Sequence, residues 1–533
     1  MTGTAPRIQK VVVLGGGTAG WMAAAYLGKA LHGTVEVTVL EAPSQPRGRT
    51  GEATVPNLQR AFFDFLGINE NEWMRECDAS FRMGVRFVNW RTGGAGEPAA
   101  RALPAGGPDH FYRPFGLLPD YDRAPLSQYW VKRKFDGATA EPFDYACFRE
   151  PPVMDALKSP RWLDGRPATR YAWHLDAGLL ADFLCRFATE KLAVTRVEDE
   201  LTEVARDSRG HVSALRTASG RVLDADLFVD CSGFDGLLIN QALEEPFLDM
   251  GDHLLGDSAV TAVVPHDDAA HGIEPYTSAL AMTAGWTWKI PMPGRFSTGY
   301  VYSSRFTTPQ EATGELCELW GLDPAATEFE HVTYRVGRTE RAWVNNVVSI
   351  GRSAGFLEPL ESTGIRFVTA ALHLLAEHFP DRTFNPALVD RFNHEVAAIF
   401  DDARDFAQTH FHCAPRDDTP FWRANTELPL PKSVREKIAT YRAGLPVGSP
   451  HTDESLYYGN FDAEVRNLST NGGYYCVFAG LGMLPDAPLP SLAHRPESVA
   501  GAEPLFEAVK RQQQNLLDTL PSAYDYLRRL HGA

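Results

Sequence analysis

The stretch that most constrains this chain is Val11-Val12-Val13-Leu14-Gly15-Gly16-Gly17-Thr18-Ala19-Gly20-Trp21-Met22. Apolar β-formers run directly into Gly15-x-Gly17-x-x-Gly20, and a helix-forming run, Trp21 to Leu27, follows at once. Strand, tight glycine turn and helix in that order bring backbone N–H groups and the positive end of a helix dipole against a pyrophosphate. Glycine turns after strands are common, so the second half of the signal decides. Val35-Glu36-Val37-Thr38-Val39-Leu40 alternates as a strand and ends in Glu41. A carboxylate about 20 positions past the last glycine is placed to accept hydrogen bonds from an adenosine ribose. Gly15, Gly17, Thr18, Ala19, Gly20 and Glu41 are therefore the candidate dinucleotide contacts.

The 533 residues allow two or three modules around more than one core. The formal net charge of −17 argues against nucleic acid, whose phosphates call for a surplus of Lys and Arg. Seven dispersed cysteines without a C-x-x-C read as reduced thiols of a cytoplasmic protein, not as disulfides or a metal site. The first apolar run follows Arg7 and Lys10, yet its glycines speak for the turn and against a signal peptide. No other stretch is long and apolar enough to span a bilayer.

Further along, Phe81 to Trp90 reads as one half-buried strand, and Thr92 to Pro108 as a surface loop rich in Gly, Ala and Pro. His174 to Leu184 reads as a helix. Ala225 to Gly233 and Val347 to Gly351 read as buried strands that return the chain to the cofactor edge of an open sheet. Beyond about residue 375 the pattern is mostly helical. A second strand–glycine–helix unit is absent: Gly480-Leu481-Gly482 is followed by Pro485 and opens no helix. With one dinucleotide site and no nicotinamide site, a bound flavin would have to be reduced elsewhere.

Two motifs remain, Gly285-Trp286-Thr287-Trp288-Lys289-Ile290-Pro291 and Leu357-Glu358-Pro359-Leu360-Glu361-Ser362-Thr363-Gly364. Singly, the first is ordinary strand core and the second a helix cap. Together with the glycine turn, and with Phe87-Val88-Asn89-Trp90-Arg91, Trp173-His174-Leu175-Asp176 and Asp417-Asp418-Thr419-Pro420-Phe421-Trp422, the chain closely resembles the flavin-dependent tryptophan halogenases over almost its whole length. The resemblance implies an α/β fold: a flavin-monooxygenase-like FAD-binding module over 1–375 (a βαβ dinucleotide fold with an additional sheet, carrying a substrate-side insertion at about 92–150) and a mainly helical substrate module over 376–533. It implies FAD, supplied reduced by a separate reductase, with O2 and chloride or bromide. Halide is oxidised to hypohalous acid, which travels through a tunnel to an indole ring, and homodimerisation is left open. By the same resemblance Trp286 and Trp288 form the wall between flavin and substrate, and Thr363 and Gly364 hold the halide. Glu361 removes the ring proton, a buried carboxylate near a cation being able to stay ionised. Ala53, Arg352 and Ile365 touch FAD.

The chain departs from the family at two places. Arg82 stands where the family has its essential lysine; arginine stays protonated and is a poor nucleophile, but its fork donates several hydrogen bonds. Arg82 thus orients hypohalous acid by hydrogen bonding alone, marks a weakened catalyst, or is an engineered substitution. The family's His-x-Phe pair reads Arg113-Pro114-Phe115, keeping Phe115 and replacing the histidine. Tyr457, Tyr458 and Glu464 match residues that hold a free amino acid, whereas Leu468 and Ser469 stand where Phe and Trp would close over the indole. The first set favours free tryptophan, and the second a tryptophan within a peptide or another indole compound. A single-component flavin monooxygenase and a non-catalytic flavin or indole binder are the readings from other classes.

Overall fold

The computed structural model describes residues 6–45, 48, 50–94, 100–103, 107–448 and 470–532. Strand β1 (Lys10–Leu14) lies between two parallel neighbours, β2 (Glu36–Glu41) and Leu227–Asp230. A central parallel strand is covered on both faces, which is why four consecutive apolar residues occupy it. The six-stranded sheet runs in the order Thr195–Glu198, β2, β1, Leu227–Asp230, Val347–Ser349 and Trp343–Val344. All neighbours in it are parallel except the closing hairpin. Helix α1 (Thr18–Ala30) follows the glycine turn and packs against helices Ala177–Lys191 and Gly364–Glu377.

Two glycines make that turn sterically possible. Gly15 sits at φ +116°, where a Cβ would lie 2.3 Å from the Cys231 carbonyl oxygen. A Cβ on Gly20 would lie 1.8 Å from the carbonyl of Gly15. Both therefore serve the close approach of strand, turn and helix.

A second, seven-stranded sheet carries Gly285–Met292 near its centre, and Gly84–Val88 and His110–Pro114 at one edge. The Phe81–Trp90 stretch is two strands, not one. Ser80–Arg82 pairs with Ala172–Asp176, while Gly84–Val88 joins the seven-stranded sheet. The break is Met83, whose N–H donates to the Pro275 carbonyl (2.7 Å) and whose carbonyl accepts from Phe115 N (2.9 Å). Arg82 is thereby held where the chain passes from one sheet to the other.

The His174–Leu184 expectation is corrected at its start. His174 to Asp176 ends the buried strand Ala172–Asp176, which is paired on both sides by Gly51–Ala53 and Ser80–Arg82. The helix begins only at Ala177, with the Asp176 carboxylate capping Leu179 N at 2.9 Å. Aspartate accepts hydrogen bonds from free N–H groups just before a helix, so the apolar spacing extended one turn too far back. From Pro386 onward the described chain is helical, led by Pro386–His412. No described helix is long and apolar enough to cross a membrane. Of the Thr92–Pro108 loop, 95–99 and 104–106 lie outside the described residues.

Candidate active site

The glycine turn opens onto a cavity of about 810 Å³. Gly15, Gly17, Thr18, Ala19, Glu41, Ala53, Arg352, Thr363, Gly364 and Ile365 all line it; Gly20 does not, since it packs against the strand. The N-cap of α1, Gly17, carries no side-chain cap, and a Cβ there would meet nothing within 4 Å. Free N–H groups thus face open space, as a bound pyrophosphate requires. Glu41 is buried and already accepts from Trp21 Nε1 (3.1 Å) and Arg196 Nε. Across the cavity, the Arg352 guanidinium lies 5.0 Å from the centre of the Phe234 ring. Glu52, which sequence reasoning passed over, lines the same cavity; burial pushes its carboxyl up, against the pull of Arg352.

The turn Pro359–Gly364 has two sides. Ser362, Thr363 and Gly364 face the cavity. Thr363 is the N-cap of the 14-residue helix Gly364–Glu377, without a side-chain cap bond, and space beyond Gly364 is open. Ser362 takes a left-handed conformation (φ +56°), which turns the chain so that the neighbouring Glu361 side chain is absent from the cavity lining. Trp286 and Trp288, successive residues on one face of their strand with ring centres 6.0 Å apart, line the cavity as well. Trp286 Nε1 donates to the buried Glu358 at 2.5 Å, tying the wall to the turn. Burial pushes the Glu358 carboxyl up to about 8, so it holds its proton at neutral pH despite that hydrogen bond.

Glu361 is 2% exposed and is gripped by Arg113, Nε at 3.0 Å from one carboxylate oxygen and Nη2 on the other. His410 Nε2 lies 3.1 Å from Glu361 Oε1, and its Nδ1 lies 2.8 Å from the Phe406 carbonyl. Burial alone would raise the Glu361 carboxyl, but Arg113 and His410 outweigh it and hold it below its ordinary value. The carboxylate is therefore ionised throughout the neutral range.

Arg82 is fully buried beside this pair. Its Nε donates to Thr277 Oγ1 (2.8 Å) and its Nη1 to the Thr54 carbonyl (2.5 Å), while Nη2 has no partner among the described residues. Arg82 and Arg113 both approach Phe115, with guanidinium carbons 5.0 and 5.4 Å from the ring centre. Burial first and the neighbouring Arg113 second lower the Arg82 guanidinium to about 9, Glu361 opposing, so it remains protonated at neutral pH. Thr277 also touches His174 Nε2 (2.9 Å), and burial and Arg82 push that imidazole well below its ordinary value. The structure thus gathers Arg82, Arg113, Phe115 and Glu361 into one cluster outside the cavity lining. Tyr457, Tyr458, Glu464, Leu468 and Ser469 lie outside the described residues.

His410, Thr277, Glu358 and Glu52 were missed as site residues. Only Glu358 carried a signal, since it belongs to the Leu357–Gly364 motif; His410 sat unremarked in an amphipathic helical run.

A dinucleotide-binding sheet and a cavity at its glycine turn, with a buried ionised carboxylate on the turn that borders that cavity, are the frame of a flavoprotein. Over residues 10–497 the chain matches the family described as tryptophan halogenase. It is 62% identical over 527 residues, 99% of each chain, to the tryptophan 6-halogenase ThaL of Streptomyces albogriseolus. To the tryptophan 7-halogenase RebH of Lentzea aerocolonigenes it is 60% identical, again over 99% of each chain. Among solved structures, Tar14, a tryptophan C-6 flavin-dependent halogenase (chlorinase) from taromycin biosynthesis, superposes with a TM-score of 0.87 at 36% identity, covering 98% of this chain and 100% of its own. The chain belongs to the tryptophan halogenase family, and it is a flavin-dependent halogenase.

Proposed function

We propose that this enzyme installs chlorine or bromine on an indole carbon of free tryptophan, with Glu361 as the proton acceptor and Arg82 as the hydrogen-bond donor to the oxidant. Gly15, Gly17, Thr18, Ala19, Glu41, Ala53, Arg352 and Ile365 would hold FAD, delivered reduced by a separate reductase. The open glycine turn at the N-terminus of α1 fits its pyrophosphate. Bound reduced flavin supplies, with O2 and halide, the hypohalous acid. Thr363 and Gly364 present a helix N-terminus to the halide.

The observation that carries the reading is the two-sided turn. Thr363 and Gly364 line the cofactor cavity, while Glu361 points into the buried cluster of Arg113 and Arg82, which borders the cavity through Thr277. An oxidant made on one side meets its substrate only on the other, in a closed place that excludes water. There Arg82 Nη2, unpartnered, donates to the oxygen of hypohalous acid. Halogen passes from oxygen to the ring carbon and the oxygen leaves as hydroxide held by Arg82; the ring proton goes to the ionised Glu361, which then gives it to the hydroxide to form water. Phe115 offers a ring face for the indole, a contact worth about 0.5–1.5 kcal/mol beyond burial. Tyr457, Tyr458 and Glu464 would hold the amino acid's carboxylate and amine, with Leu468 and Ser469 leaving one wall of the indole site open.

The test is mass spectrometry of free tryptophan incubated with the enzyme, FAD, a flavin reductase, NADH and chloride. Tryptophan with one hydrogen replaced by chlorine is the expected product. Peroxide release without halogenated product, from tryptophan and from tryptophan-containing peptides alike, would overturn the reading.

A further inference from the structure

Arg82 is a fully buried cation whose three nitrogens are unevenly used. Nε and Nη1 are spent on neutral groups, Thr277 Oγ1 and the Thr54 carbonyl, and Nη2 is unpartnered. The carboxylate of the cluster, Glu361, is already gripped by both Arg113 nitrogens. Arg113 therefore neutralises Glu361, and among the described residues the positive charge of Arg82 is left over in the interior. A lysine here, as in the relatives the motif resembles, could shed its proton on burial, whereas a guanidinium keeps its charge. Water at Nη2 would satisfy the hydrogen bond but not the charge. Buried charges are stabilised by an opposite charge or lose their ionisation.

From this we infer that in the resting enzyme Arg82 Nη2, beside Phe115, holds a bound halide ion, separate from the halide position at Thr363 and Gly364; the ion leaves when hypohalous acid takes the same donor. The geometry selects the kind of anion. A carboxylate or phosphate is gripped by guanidinium through parallel donors on two adjacent nitrogens, Nε with Nη2 or Nη1 with Nη2, and at Arg82 each pair includes a nitrogen that already donates elsewhere. A spherical monovalent ion needs only Nη2, the nitrogen that donates to no described residue. Phe115 interacts with guanidinium through its ring and brings no countercharge, so it does not compete with the ion. The depression of the Arg82 guanidinium by burial and Arg113 is the imbalance such an ion corrects. The existence of an anion site rests on Arg82 and its neighbours; only the choice of halide rests on the proposed function.

The test is anomalous diffraction from crystals of the full chain soaked in sodium bromide. A bromide peak within hydrogen-bond reach of Arg82 Nη2 is expected in the native protein, in addition to any peak at Thr363–Gly364. It should vanish in Arg82→Met, which keeps an unbranched side chain without the charge. A peak at Thr363–Gly364 with none at Arg82 in the same crystal overturns the inference, as does a peak at Arg82 that survives Arg82→Met. Should the Arg82→Met variant fail to fold, the native crystal decides alone. The chlorination assay run on the same preparation separates the two claims: a bromide peak at Arg82 without halogenated product sustains the anion site and counts against turnover.

Discussion

Glu361 owes its ionisation to Arg113, the residue that replaces a histidine of the family's indole-facing pair. Two guanidinium nitrogens on one buried carboxylate favour the anion strongly, and a charge-assisted bidentate pair is among the strongest polar contacts available. This makes Glu361 a weaker base that is ionised over a wider pH range. In Arg113→His the second donor is lost, burial regains weight, and the acid limb of the kcat profile should move to higher pH. That shift is read from kcat against pH for the two proteins; an unmoved limb would mean that Arg113 does not set the ionisation of the base. Glu361→Gln should lower halogenation by about 100- to 10,000-fold, the usual contribution of a positioned base, with flavin binding unchanged in a fluorescence titration. Stability follows the same logic. A carboxylate depressed in the folded state contributes stability above its unfolded value of 4.5, and that contribution is lost as pH falls through the folded value.

Glu358, three residues earlier on the same turn, titrates in the opposite direction. Its carboxyl is raised to about 8 by burial, so between pH 4.5 and 8 the folded protein holds a proton that the unfolded chain has released. Stability from this group is full below the unfolded value and falls as pH rises across that window, by at most about 1.4 kcal/mol per pH unit. Glu358→Gln keeps an acceptor for Trp286 Nε1 and removes the titration. Its melting temperature should therefore fall less between pH 5 and pH 8 than that of the parent, as calorimetry at both values would show. At this scale the sequence is legible wherever an element is specified locally. The glycine turn, the strand ending in Glu41 and the Leu357–Gly364 motif each carry their own chemistry, and each lies where its pattern places it. What was illegible depends on partners distant along the chain. The break at Met83 is made by Pro275 and Phe115, and the Arg113–Glu361 pair joins residues 248 apart. His174 has helix-compatible neighbours but becomes strand because two other strands pair with it. His410 differs from any other helical histidine only through what the fold packs against it.

At the scale of the whole molecule, the question is what keeps the oxidant from leaking before it reaches the substrate cluster. Trp286 and Trp288, which line the cavity, are the proposed wall, and they are held differently. Trp286 is buried and anchored to Glu358, so it is part of the core. Trp288 is half-buried, its Nε1 has no partner among the described residues, and its indole covers Gly299 on the adjacent strand, where a Cβ would lie 2.3 Å from the ring. A ring laid over a glycine and free of hydrogen bonds can be removed with less disturbance to the sheet than its neighbour. If the wall confines the oxidant, Trp288→Ala should bind flavin normally and consume oxygen at a similar rate, yet yield several-fold less chlorotryptophan per oxygen consumed. The missing oxidant should then appear on a small scavenger such as taurine added outside. Trp288→Phe, which restores a ring over Gly299, should recover most of the yield. Loss of chlorotryptophan with nothing gained on the scavenger would show that Trp288 supports the fold or the flavin and does not confine the oxidant.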